Sequence, residues 1–305
     1  MPSPHAFFKG EFVPLENAKI SVMTHGFLYG TACFEGIRAY WSEEKRQLLA
    51  FRMREHYDRL RNSCKILQIS LPYSSEELCN ITVEMLRRSG FQQDVYIRPI
   101  AYKSSEAIGV TLLGLKDDLV IFAVPFGLYL DISKGLKLKV SSWRHLEDNA
   151  IPMRAKINGS YVNAALAKSE AIQCGCDEAI FLTQDGHVSE GSGENIFIVK
   201  SGKLITPPVT DDILEGITRA SVIEIAKKEF GIETVERRID RTELYTADEC
   251  FLCGTAAQVS PVAEIDNRTI GDGKIGPITK KIQDLFFEVV KGKIDRYAGW
   301  CTPVY

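Results

Sequence analysis

The run Pro125-Phe126-Gly127-Leu128-Tyr129-Leu130-Asp131, closed by Lys134-Gly135, interrupts an otherwise regular succession of strand and helix signals. Turn formers carrying two aromatics mark an interdomain connection, so the expected division is a domain over 1–124, a loop over 125–135 and a larger domain over 136–305. Before the break, Asn17 to Met23 and Cys33 to Trp41 read as strands, rich in β-branched, aromatic and apolar residues and bounded by glycine. Arg52 to Leu67 reads as a helix, because His56, Leu60, Cys64 and Leu67 recur at spacings of three or four. Ser74 and Ser75 can cap a second helix running to about Arg88 and closed by Gly90, followed by strands at Val95 to Ala101 and Asp118 to Val124. After the break come a strand at Leu136 to Ser142, a helix from Ser160 to Cys174 and strands at Glu178 to Leu182 and Ile196 to Lys200. A helix at Thr218 to Phe230, a strand at Cys250 to Leu252 and a helix from Pro277 to about Val290 complete the pattern. The fold class expected is α/β of the two-domain α+β type.

A chain of 305 residues, 45% hydrophobic and 25% charged, is long enough for two separate cores. Its formal charge of −3, with no basic block, argues against nucleic acid or an anionic membrane as partner. The eight cysteines are scattered rather than dense, which favours a reducing cytoplasm. Met1-Pro2-Ser3-Pro4-His5 has neither the basic nor the apolar region of a signal peptide, and the longest apolar runs, such as Leu119 to Pro125, fall far short of a membrane span. The expected location is the cytoplasm.

Three short segments carry chemistry. Lys156 lies in Ala155-Lys156-Ile157-Asn158-Gly159, where small and apolar neighbours suggest a strand end opening into a turn. Alone it reads as a solvated surface charge; desolvated at such a turn, its amine would have a lowered pKa and form an imine. Ser189-Glu190-Gly191-Ser192-Gly193-Glu194-Asn195 reads on composition as a hairpin loop. Glu190 at the strand end also suits an ionised carboxylate facing a pyridinium nitrogen, with Glu194 and Asn195 tying the loop down. Leu214-Glu215-Gly216-Ile217-Thr218-Arg219 precedes a helix whose first N–H groups, at Ile217 and Thr218, can take an anion, Gly216 allowing close approach; a plain N-cap by Thr218 is the alternative. Arg59 and Thr255 are further phosphate candidates. His25 is left outside the mechanism, and five scattered histidines give no metal-ligand spacing, so no metal is expected. Cys250 and Cys253 form a C-x-x-C whose members would face opposite sides of a strand.

From His25-Gly26-x-x-Tyr29-Gly30 to Gly254-Thr255-Ala256-Ala257-x-Val259-x-Pro261-Val262, the chain resembles the branched-chain amino acid aminotransferases of the fold type IV pyridoxal-phosphate enzymes. That group also includes D-amino acid aminotransferase and aminodeoxychorismate lyase. Phe34-Glu35-Gly36-Ile37-Arg38 and Tyr96-Ile97-Arg98-Pro99 look like the branched-chain group in particular. The resemblance implies pyridoxal 5′-phosphate at the interface of a small N-terminal and a larger C-terminal domain. Lys156 would carry the cofactor and shuttle the proton. Glu190 would pair with the ring nitrogen, Tyr161 with the phenolate oxygen and Leu214 with the ring face. Arg59, Gly216, Ile217, Thr218 and Thr255 would hold the phosphate. The substrate carboxylate would meet the turn Thr255-Ala256-Ala257 and Tyr96. Phe34, Gly36, Tyr129 and Tyr161 would wall an apolar pocket, and Arg98 with Tyr29 would receive the distal carboxylate of glutamate. Phe126 stands where bacterial relatives commonly carry tryptophan. Implied too are ping-pong exchange between L-leucine, L-isoleucine or L-valine and 2-oxoglutarate, and a homodimer or larger homo-oligomer in which Ile108 and Val110 reach into the partner's pocket. A D-amino acid or amine transaminase, an aminodeoxychorismate lyase and a non-catalytic cofactor-binding protein are the alternatives.

Overall fold

A computed structural model describes residues 4–127, 130 and 134–305, so Tyr129 and most of the middle of the 125–135 connection lie outside the described residues. Two compact units emerge: Met1–Gly127 with Ala155–Gly159 and Glu288–Tyr305, and Leu128–Arg154 with Ser160–Phe287. The expected division treated each domain as one unbroken stretch. The short segment around Lys156 and the C-terminal tail join the first unit because they are tied there by main-chain bonds. Phe34 N–H donates to Lys156 O (2.9 Å), and the strand Cys301–Pro303 pairs with Gln47–Phe51. Neither link is local in sequence.

The first unit is built on β1 (His5–Phe8), β2 (Glu11–Pro14), β3 (Ala32–Phe34), β4 (Ile37–Ser42), β5 (Gln47–Phe51), β6 (Val95–Lys103) and β7 (Asp117–Pro125). Their order is C-terminal strand, β5, β4, β6, β7, β1, β2, with β3 beside β6, all antiparallel. Around it lie α1 (His25–Tyr29), α2 (Met53–Ile66) and α3 (Ser75–Ser89). α3 starts as its sequence requires: Ser74 Oγ accepts from Glu77 N–H, the Glu77 carboxylate accepts from Ser74 N–H, and Gly90 ends it in the left-handed conformation. Fully buried Tyr40, Leu48, Met53, Tyr57, Leu60, Leu78 and Met85 form the core.

Two expected strands differ. Asn17 to Met23 is not a strand: Leu15–Asn17 is a 3-10 turn, and Ile20, Val22 and Met23 are exposed. Apolar composition there reflects an exposed surface, with no neighbouring strand to pair. The stretch from Cys33 to Trp41 is interrupted at Glu35-Gly36, although β3 and β4 keep one register along β6 (Phe34↔Ile100, Ile37↔Ile97). Glu35 N–H donates to Pro99 O (2.9 Å), and Pro99 has no N–H to return, so the ladder loses a rung there.

The second unit carries β8 (Leu136–Arg144), β9 (Glu178–Leu182), β10 (Val188–Gly191), β11 (Asn195–Lys200), β12 (Lys203–Thr206), β13 (Thr234–Glu236), β14 (Glu249–Gly254), β15 (Gln258–Ile265) and β16 (Arg268–Thr269). Their order is β10-β9-β8-β15-β14-β11-β12-β13, with β16 beside β15. β8 pairs in parallel with both β9 and β15. The helices are α4 (Tyr161–Gln173), α5 (Ile217–Phe230), α6 (Arg241–Tyr245) and α7 (Pro277–Val290), the last shared at its C-terminal end with the first unit. One face of the sheet is a Leu/Ile/Val cluster that includes Leu138, Ile180, Ile198, Leu252 and Val262; α4 covers Ala179 and Phe181 with Ala167 and Ala171. Among the described residues, no helix is long and apolar enough to cross a membrane.

Candidate active site

In the first unit, the lysine segment is held from two sides. Lys156 N–H donates to Ser63 Oγ on α2 (3.1 Å), while Lys156 O accepts from Phe34 N–H on β3 (2.9 Å). Ile157 makes an isolated bridge to Cys33, and a 3-10 turn over Asn158–Ser160 follows; the expected turn forms, but no strand leads into it. Gly30 caps α1 at φ +67°, and a Cβ there would lie 2.8 Å from Gly159 Cα; the segment lies directly against a residue that must be glycine. Lys156 Nζ sits 5.0 Å from the Phe34 ring centroid.

Phe34, Gly36, Tyr96 and Arg98 are brought together. The Arg98 guanidinium lies 4.3 Å from the Phe34 centroid and donates to Tyr96 Oη (3.2 Å). A Cβ on Gly36 would fall 1.9 Å from that same hydroxyl. Phe126 packs against Tyr96 with centroids 5.1 Å apart, and its carbonyl, with that of Gly127, accepts from Arg38. Tyr29 belongs to a different cluster. Its hydroxyl accepts from Gly109 N–H (3.0 Å), while His25 Nε2 meets Gly109 O (2.7 Å) and Nδ1 meets Thr31 Oγ1 (2.7 Å). A carbonyl can only accept, so His25 Nε2 is the donor to Gly109 O.

Arg59 is engaged by Glu35, which is fully buried and also bonded to His56. Sequence reasoning assigned no role to Glu35, His56 or Ser63. A visible signal existed: a lone carboxylate inside the apolar run Ala32 to Ile37, and His56, Arg59 and Ser63 spaced along one stripe of α2.

In the second unit, the polar loop is organised by its carboxylate. Glu190 is buried, and Oε2 accepts from Asn195 Nδ2 (2.9 Å) and Leu214 N–H (3.1 Å), while Oε1 lies 3.6 Å from His145 Nε2. Asn195 also donates to Leu214 O (2.9 Å), which secures the loop to the segment leading into α5. Burial pushes the His145 imidazole down to about 4, outweighing the opposing effect of its bond to the Asp212 backbone, so near neutrality it is uncharged. α5 begins at Gly216 without a side-chain cap, so the N-cap is not Thr218. Gly216 is required for a different contact from the one expected: a Cβ would lie 2.0 Å from Asn195 Oδ1. Asn195 pairs with Cys253 across β11 and β14, which opens the tight turn Thr255-Ala256-Ala257 at the same end of the sheet as Glu190. Tyr161 is the first residue of α4. Cys250 and Cys253 are buried free thiols.

The donor set suits an anionic, nitrogen-heterocyclic aldehyde cofactor. The second unit offers a buried carboxylate that keeps two N–H donors and a helix start with no side-chain cap, and the first unit separately carries the lysine amine.

The pattern of the class IV amino-transferase family matches residues 32–265. The chain is 57% identical over 300 residues, 98% of its length and 96% of the relative's, to a probable branched-chain-amino-acid aminotransferase of Aquifex aeolicus. It is similar in structure to the branched-chain aminotransferase of Thermoproteus uzoniensis with norvaline, at TM-score 0.95 and 46% identity, covering 99% of this chain and 100% of that one. A second structural relative is the branched-chain amino acid aminotransferase of Thermobaculum terrenum in its PLP form, at TM-score 0.95 and 37% identity, with 100% of each chain covered.

Proposed function

The chain belongs to the class IV aminotransferase family, and on that premise we propose that it is a pyridoxal-phosphate-dependent branched-chain-amino-acid transaminase. It moves the amino group reversibly between L-leucine, L-isoleucine or L-valine and 2-oxoglutarate, in a ping-pong sequence. The observation that carries the reading is Glu190: a buried carboxylate, held by Asn195 and Leu214 beside an uncharged His145, is what a protonated ring nitrogen needs.

When bound, the cofactor supplies an electron sink that acidifies the substrate Cα–H. The chain's own residues do the rest. Lys156 contributes its Nζ first as the point of attachment and then as the base that takes and returns the Cα proton. Glu190 would pair with the ring nitrogen, Leu214 would pack on the cofactor ring and Tyr161 would pair with the phenolate oxygen. Gly216, Ile217 and Thr218 offer the helix start to the phosphate, helped by Arg59 and Thr255. Thr255, Ala256 and Ala257, with Tyr96, hold the α-carboxylate. Phe34 and Gly36 would wall the apolar pocket. Arg98 has no carboxylate partner among the described residues, which supports its use for the distal carboxylate of glutamate; for Tyr29 the support is the resemblance alone.

Ile108 and Val110, 80% and 83% exposed beside Gly109, and exposed Phe27 and Leu28 support a homo-oligomer in which a second copy covers this face. The reading also places the enzyme in the cytoplasm.

The test is optical. L-leucine should bleach the visible band of the purified holoenzyme and 2-oxoglutarate should restore it, while a Lys156→Ala variant does neither. Bleaching by D-alanine and not by L-leucine would replace the reading with a D-amino acid transaminase.

A further inference from the structure

Arg59 meets Glu35 edge-on. Its Nε donates to Glu35 Oε1 (2.7 Å) and a terminal nitrogen to Oε2 (2.9 Å). The same carboxylate accepts from His56 Nδ1 (2.7 Å) and from Gly36 N–H (3.2 Å). A guanidinium is rigid and planar, so committing one edge to a fixed carboxylate dictates where its remaining N–H groups point. Glu35 is itself held by these bonds, at the strand interruption with no exposure to solvent.

Burial alone would raise the Glu35 carboxyl, but the Arg59 charge and the His56 bond outweigh it and hold it well below the usual carboxylate range. His56 is lowered, chiefly by burial and further by the charges of Arg59 and Lys156, so it donates as the neutral Nδ1–H tautomer. Glu35 and Arg59 therefore form a pair of zero net charge, with Glu35 fully buried and Arg59 partly so. In such a pair the arginine's value to an anion lies in direction more than in charge.

The arrangement reaches the lysine as well. His56, Arg59 and Ser63 lie along one stripe of α2, and Glu35 follows Phe34 directly. The clamp thus joins the two elements whose groups bond Lys156 O and Lys156 N–H.

We infer that Glu35 is a positioning residue for Arg59, turning its guanidinium to a phosphate monoester. The inference rests on the proposed role of Arg59 in holding the cofactor phosphate. Two rival accounts make different forecasts. If Glu35 only neutralised Arg59, removing its charge would tighten phosphate binding. If it only supported the core, its loss would weaken all cofactor binding alike.

The experiment compares pyridoxal 5′-phosphate with pyridoxal, which lacks the phosphate, as ligands released from and rebound to the holoenzyme. For Glu35→Gln, supporting residues of this kind set an expected loss of about tenfold to a hundredfold in affinity for pyridoxal 5′-phosphate, with pyridoxal changed by less than about twofold. The phosphorus-31 resonance of the bound phosphate should move as well. Equal losses for both ligands, or tighter binding of pyridoxal 5′-phosphate, overturn the inference. Glu35→Asp keeps the charge but is too short to span both Arg59 nitrogens; it should show the same selective loss and serves where Glu35→Gln fails to fold. Arg59→Lys separates the two levels of argument. If it leaves the preference for the phosphorylated ligand intact, the assignment of Arg59 falls and takes the inference with it. A selective loss in Arg59→Lys but not in the Glu35 variants removes the inference alone.

Discussion

Gly216→Ala tests how the loop around Glu190 is held together. The backbone at 216 (φ −71°, ψ 132°) suits alanine, so any penalty is steric. The new Cβ would lie 2.0 Å from Asn195 Oδ1 and 3.3 Å from Arg219 Cβ, and the amide must swing away. Swinging away breaks the bonds from Nδ2 to Glu190 and to Leu214 O. A hydrogen bond to a charged group contributes about 1.5–3 kcal/mol and a neutral one about 1 kcal/mol. Alanine regains about 0.4–1 kcal/mol by restricting the unfolded chain, so the net loss should be about 2–3 kcal/mol, read from the urea denaturation midpoint. The decisive assay is a double-mutant cycle with Asn195→Ala. In that background both bonds and the obstructing oxygen are already gone, so Gly216→Ala should cost less than about 0.5 kcal/mol. Equal costs in both backgrounds would refute the packing argument and return Gly216 to the role of opening space for an anion.

The other outcomes follow from single contacts. His145 is lowered from its ordinary 6.5 to about 4, chiefly by burial. A depressed base stabilises the fold fully above 6.5 and loses that contribution as pH falls toward 4, a loss of about 3 kcal/mol at about 1.4 kcal/mol per pH unit. A His145→Phe variant should show an unfolding free energy without that slope. Gly36→Ala should push the Tyr96 hydroxyl aside at a stability cost of about 1–3 kcal/mol and raise KM for 2-oxoglutarate as Arg98 loses its neighbour. Arg98→Met should raise KM for 2-oxoglutarate by about tenfold or more, from the loss of a charge-assisted bond, while KM for L-leucine changes far less; a parallel rise would refute the selective role.

Local signals carried much of the architecture. The α3 capping box, the stripe of α2 and the Gly231 stop of α5 are short-range, and a chain of four to fifteen residues contains all the groups that decide them. Glu190 and the α5 start were legible for a similar reason, since each sits at an element end with distinctive composition. Asn17 to Met23 misled because apolar β-branched residues fit an exposed surface as readily as a strand, and only pairing separates the two.

What the sequence determined, then, was which elements form and which side chains are unusual enough to carry chemistry. Tertiary structure alone decided that Lys156 belongs with β3 and α2 rather than with the run of chain around it, that Arg59 is oriented by Glu35, and that Gly216 is glycine on account of Asn195. Each of those depends on a contact across twenty or more positions, and the fold alone brings such partners within hydrogen-bonding or van der Waals reach.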